Sequence, residues 1–263
     1  MSVFTSTDET YSEFDGKVLV NSLSKEKVSA KACFIHQQFQ ALVTSDYFPC
    51  VGAKSAFQRR SYRFGVFGDL QSPETTRPLL DALERFMAEQ PSLDPQYSTF
   101  VAAFDGPAIA NEEQFETMLW KQLQYINDVD SAQHDWSPLR SHDPDDAQFA
   151  YSIGGKAYFL VGLNPAASRW ARRFAWPVLI FNAHDQFERL RETNRFARMQ
   201  DVIKSRDATL QGYANPEALN FGVKSEARQY SGRSVPDDWR CPFSARQAAA
   251  EWQPGMPAET PEL

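Results

Sequence analysis

Four short stretches hold most of the side chains of this sequence that could do chemistry. They are N-P-A-A-S-R-W-A-R-R-F (Asn164–Phe174), F-N-A-H-D-Q-F-E-R-L-R (Phe181–Arg191), S-E-A-R-Q-Y-S-G-R (Ser225–Arg233) and W-R-C-P-F (Trp239–Phe243). A guanidinium offers a planar fork of donors and stacks on aromatic rings. Arginines crowded among aromatics therefore suit a flat, anionic ligand better than core packing. Arg169 and either Arg172 or Arg173, three and four residues apart, would share one side of a helical turn. So placed, they could clamp a phosphate or two carboxylates. Arg228 and Arg233 bracket Tyr230 as a second candidate clamp. The competing use is internal, as ion pairs to Glu188, Asp207 or Glu226, and spacing alone leaves both uses open.

Three cysteines and four histidines complete the inventory. Cys50 follows Phe48-Pro49 and precedes V-G-A-K-S-A, which reads as the start of a helix. Free N–H groups and the positive end of the helix dipole favour a thiolate at such a position. A thiolate is a competent haem-iron ligand, although a small buried thiol is the commoner fate of cysteine. Cys241, beside Pro242, carries the same ambiguity, and Cys33 lies on an apolar helix face and reads as core. His184 follows a strand end and opens a helix, where it could bind a metal, move protons or simply cap. His142-Asp143 has no further ligand at metal-site spacing, so zinc and di-iron centres are not expected. G-V-F-G-D-L (Gly65–Leu70) matches no phosphate loop, and no G-x-S-x-G occurs.

The elements that must position these residues follow from periodicity. Helices are expected over Val28–Val43, from Ser72-Pro73 with the stripe Leu79, Leu80, Leu83, Phe86 and Met87, and after Asn111-x-x-Gln114, a capping box. Two more are expected over His184–Glu192 and Phe196–Leu210. Strands are expected at Tyr62–Gly68, Ser98–Phe104, Phe149–Ile153, Ala157–Leu163 and Pro177–Phe181, with Gly154-Gly155 as a hairpin turn. His134–Asp146 reads as a polar loop. The pattern predicts an α/β or α+β fold: one domain over 1–250, with a mixed, mainly antiparallel sheet flanked by helices. The tail 251–263, rich in Pro and Glu, is expected to be disordered.

Bulk properties narrow the partners. Of 263 residues, 42% are apolar, with 20 Phe, 9 Tyr and 6 Trp, ample for a substantial core. The net charge of −7 argues against non-specific binding to nucleic acid or an anionic membrane. The N-terminus shows no apolar signal region, no window is long and apolar enough to span a bilayer, and no C-x-x-C pair occurs. A reduced, cytoplasmic setting is expected.

F-P-C-V-G-A-K-S-A (Phe48–Ala56), E-x-x-F-E-x-x-L-W-x-x-L-Q (Glu112–Gln124) and F-L-V-G-L-N-P (Phe159–Pro165) occur in order, followed by S-R-W-A-R-R-F, F-N-A-H-x-Q-F-E-x-L-R, S-E-A-R-Q-Y-S-G-R and W-x-C-P-F. Together, over about Phe48 to Phe243, they resemble the YqcI/YcgG family. Some members of that family are haem-dependent oxygenases that hydroxylate nitrogen. The resemblance implies haem b, O2, a separate electron donor and a small amine or guanidine substrate; a homodimer is compatible with it. It implies Cys50 as axial ligand, with Cys241 and His184 as rivals. Lys54, Arg169, Arg172 and Arg173 would hold the propionates, His184 would be catalytic, and Glu226 would receive a guanidinium substrate. A haem-binding sensor or carrier without turnover, and a haem-free protein that binds an anionic metabolite, are the alternatives. One departure matters: family members often read G-L-H-P where this chain has Gly162-Leu163-Asn164-Pro165. Were that histidine the iron ligand, Asn164 would compromise haem binding here.

Overall fold

The computed structural model describes residues 9–213, 215–217 and 222–246. The tail 251–263, expected to be disordered, lies outside the described residues. Seven strands form one sheet. In chain order they are β1 (Ser12–Phe14), β2 (Leu19–Asn21), β3 (Tyr62–Asp69), β4 (Thr99–Gly106), β5 (Tyr151–Ile153), β6 (Lys156–Leu163) and β7 (Val178–Ala183). Their order across the sheet is β2-β1-β3-β4-β7-β6-β5. Only β3 and β4 pair in parallel; every other pairing is antiparallel. A parallel pair needs a crossover, and α3 (Pro73–Glu89) supplies it. The expected mixed, mainly antiparallel sheet with flanking helices is what forms.

The sheet buries both faces. One carries α3 and α4 (Glu112–Asp130), with Leu79, Leu83, Phe86, Phe115 and Leu119 packed on Phe100, Tyr158, Leu160 and Phe181. The other carries α1 (Ala30–Thr44) and α2 (Val51–Arg59), with Ile35, Phe39 and Phe57 on Phe64, Val101, Leu163 and Val178. Burial on both faces explains why β3 and β4 read as continuous apolar runs rather than alternating ones. Burial of each large side chain contributes about 1.5–3 kcal/mol.

Local signals set the helix starts. The Ser29 hydroxyl accepts from Ala32 N at 3.1 Å to open α1. Asn111 Oδ1 accepts from Gln114 N at 2.8 Å, while the Gln114 side chain reaches back to Ala110 N at 2.7 Å, one residue before the usual capping-box target. Pro73 opens α3, but Ser72 makes no side-chain cap; its hydroxyl turns to Glu74 instead.

The differences from expectation are at edges. β1 and β2, three residues each, are too short for alternation to reveal. β5 starts two residues later than Phe149, and β7 runs on to Ala183. Two-residue turn Gly154-Gly155 joins β5 to β6, both with positive φ, as expected.

Candidate functional site

β6 ends at Leu163, and the chain then makes a compact loop closed by pairing of Asn164 with Arg173. Asn164, 1% exposed, organises it. Its N–H donates to Arg172 O at 3.0 Å, its carbonyl accepts from Phe174 N at 3.2 Å, and its side chain accepts from Ala166 N at 2.9 Å. The local Asx hydrogen bond is one that asparagine makes readily. At its tip is a single 3-10 turn, Trp170–Arg172.

That turn sends the three arginines to different partners. Arg169 is buried and ion-paired with Asp207 of α6 (Phe196–Gln211), with its guanidinium 5.5 Å from the Tyr213 ring centroid. Arg172 donates to Gly162 O at 3.1 Å and Gln229 O at 3.3 Å and meets no carboxylate. Burial pushes its pKa down to about 10, so it remains a cation at neutral pH. Arg173 is exposed, donates to Ala167 O at 2.8 Å and stacks 4.4 Å over Trp170.

Cys50 caps α2 as expected, its sulfur accepting from Ala53 N at 3.4 Å. The expectation of a thiolate needs correction. Burial raises the thiol pKa, opposed by the N–H groups of Ala53 and Gly52 and by the charge of Arg172. Desolvation is the larger effect, since Cys50 packs against the α1–α2 core cluster. α6 overhangs this spot: a Cβ added to Gly52 would lie 3.8 Å from both Cys50 Sγ and Met199 Sδ. Lys54, one turn on, is spent on Ser45 O at 2.6 Å.

The S-E-A-R-Q-Y-S-G-R segment folds around α7 (Ala227–Tyr230) and spends nearly every polar side chain internally. Glu226, 3% exposed, accepts from Tyr230 OH at 2.5 Å and pairs with His184 Nε2 at 3.0 Å. Burial, then the Glu226 charge, pushes the Tyr230 phenol well above its ordinary pKa, so it stays a donor. Arg228 goes to Glu217 and to Val235 O and Pro236 O, and Arg233 to Glu116 at 2.5 Å. Neither is the anion clamp that their spacing suggested. Gly162 lets this segment approach β6, since a Cβ there would sit 2.8 Å from Tyr230 O. Gly232, at φ +82, likewise makes room for Arg172, whose Cγ would be 2.9 Å from an added Cβ.

A family model for the YqcI/YcgG family matches residues 39–244. The chain belongs to the YqcI/YcgG family. It is 29% identical over 209 residues to the uncharacterized protein YqcI of Bacillus subtilis (strain 168), an overlap covering 74% of this chain and 80% of that one. No solved structure matches.

Within this YqcI/YcgG chain, the fold brings Cys50, Arg172 and Asn164 to the end of β6, with α6 above them. His184 lies elsewhere. Leu163 pairs with Val178 at one end of β7 and Tyr158 with Ala183 at the other. Five residues of strand, roughly 17 Å, therefore separate the Arg172 end from the start of α5 (His184–Glu192). Tyr230 spans the interval, its carbonyl at Gly162 and its hydroxyl 3.2 Å from Tyr158 O. Cys241 is half-buried in the α3–α4 layer, on the opposite face of the sheet from Cys50, with its thiol pKa raised by burial. The sequence reading passed over Tyr230 as a connector, Met199 as a cover and Gly162 and Gly232 as clearance. The signal for the last two was present in the L-V-G-L-N-P and Y-S-G-R spacing, but only the packing gives it meaning.

Proposed function

We propose that this protein is a haem-dependent monooxygenase that hydroxylates an amine or guanidine nitrogen of a small polar substrate. The supporting observation is that the Arg172 charge acts on the Cys50 sulfur. A thiol at a helix N-terminus, receiving a backbone N–H, sits in the field of a cation whose hydrogen bonds, among the described residues, go to carbonyls. Among the described residues no group of three or more His, Cys, Asp or Glu is placed to hold a bare ion. Haem asks the protein for a single axial atom, which a lone thiol can give. The residues fit in part: Cys50 would hold the iron, and Arg172 and Arg173 would hold propionates. Arg169 and Lys54, assigned that role by resemblance, are engaged with Asp207 and Ser45. The bound group supplies O2 activation, and electrons come from a separate donor.

The chain's own residues have the remaining tasks. Arg172, fixed by two carbonyls, balances the charge of a Cys50 thiolate without moving. Glu226 and His184 stand behind Tyr230 and hold α7, and through Gln229 hold Arg172; they are positioning residues.

The test is the visible spectrum of protein made with a haem precursor, oxidised and then reduced under CO, for the natural chain and Cys50→Ala. A Soret band with a thiolate-type CO band that vanishes in Cys50→Ala is expected, together with substrate-dependent O2 consumption. An unchanged CO spectrum in the variant removes Cys50 as ligand; bound haem with no O2 consumption leaves a sensor or carrier. A colourless protein that refuses added haemin overturns the reading. In that case Arg172, a cation without a carboxylate partner, favours the second reading, a binder of anionic metabolites.

A further inference from the structure

α6 is poorly embedded for a helix with so many apolar residues. Of its 16 residues only Asp207 is fully buried, while Phe196, Met199, Ile203 and Leu210, which share a face with it, are only partly buried. α4, by contrast, buries nine of its 19 residues. α6 touches α2, α5 and the 170–172 turn, so it lies across the Cys50 and Arg172 end of the molecule. Its ends are conformationally marked. Asn194 precedes it at φ 55, and Gly212 follows at φ +87 with nothing near its missing Cβ. Its fixings to the turn are polar: Asp207 to Arg169, Trp170 N to Gln211 Oε1 at 2.9 Å, and Gln211 Nε2 to Ser168 O at 3.3 Å.

A polar fastening differs from an apolar one when it opens. Separating Arg169 from Asp207 into water returns the hydration both groups gave up, which offsets most of the lost attraction. A face that is only partly buried likewise loses less apolar contact on lifting than a fully embedded one. We propose that α6 is a lid over Cys50 and Arg172, hinged near Asn194 and Gly212, with the Arg169–Asp207 pair as its latch. This inference rests on the reading of Cys50 and Arg172 as the working site, but its readout needs no haem. It gives Arg169 and Asp207 a role in access.

The experiment uses the full chain without added haem, carrying Cys33→Ala and Cys241→Ala so that Cys50 is the one thiol. Labelling by a chromogenic disulfide reagent is followed with and without Asp207→Asn. The lid predicts slow labelling in the parent and a rate higher by roughly tenfold in Asp207→Asn, as expected of a local opening equilibrium. Gln211→Ala should act in the same direction, more weakly, and serves if Asp207→Asn does not fold. A companion protein retaining only Cys33 must label at one rate with and without Asp207→Asn. An unchanged Cys50 rate overturns the proposal, as does equal acceleration of Cys33, which would mean general loosening. Gated Cys50 in a protein that refuses haem would sink the oxygenase reading and leave the lid; haem binding with ungated Cys50 would do the reverse.

Discussion

His36 should make this protein measurably acid-labile, and the size of the effect can be worked out. The ring is buried among Phe14, Phe57, Tyr62 and Phe64, with centroids 5.2–6.3 Å away, and Tyr62 OH lies 2.8 Å from its Nε2. No carboxylate compensates the imidazolium there, so burial lowers the pKa from 6.5 to about 4. Between those values the unfolded chain takes a proton that the folded chain refuses, and stability therefore falls as pH falls. Each pH unit inside the window is worth about 1.4 kcal/mol, so about 2 kcal/mol is lost by pH 5 and about 3 kcal/mol by pH 4. Above the unfolded value His36 contributes no pH dependence. Urea unfolding near neutral pH and at about pH 5 measures it, with His36→Gln as the reference because glutamine keeps a polar group near Tyr62 but does not titrate. Surface carboxylates titrate alike in both proteins, so the difference between the two pH slopes isolates His36. Parallel slopes would refute the reasoning and mean that the buried ring is charged or solvated.

Two further outcomes test the site's scaffold. Tyr230→Phe removes one of the two partners of buried Glu226 and should cost about 1–3 kcal/mol in a urea titration, the usual penalty for a buried acceptor left short. Full stability would show that His184 alone suffices. Asn111→Ala removes the cap on α4 and should cost about 1 kcal/mol, while Asn111→Ser should restore most of it; equal losses in both would point away from capping.

The fold was legible where physics is local. Helix starts at Ser72-Pro73, Asn111 and His184, and the Gly154-Gly155 turn, rest on interactions within a few residues, and the structure has them. β3 and β4 were legible because burial on both faces leaves long apolar runs. β1 and β2 were not: three residues of strand carry no period, and the ladder that joins β1 to β3 pairs Ser12 with Phe64, far apart in sequence.

The site was less legible, because arginine is ambiguous by nature. The same fork that suits a ligand's carboxylate suits a buried Asp or a row of carbonyls. Arg169, Arg228 and Arg233 went to Asp207, Glu217 and Glu116, residues 38, 11 and 117 positions away. Partners at such separations are chosen by topology, and a linear motif does not show them. Arg172 and Arg173 differ from these, since their hydrogen bonds go to carbonyls, which satisfy donors without forming an ion pair. Hydrogen bonding and charge balance are separate requirements, and a cation that meets only the first retains an attraction for an anion. At this site a Cys50 thiolate, or an acidic group bound beside it, would supply that anion.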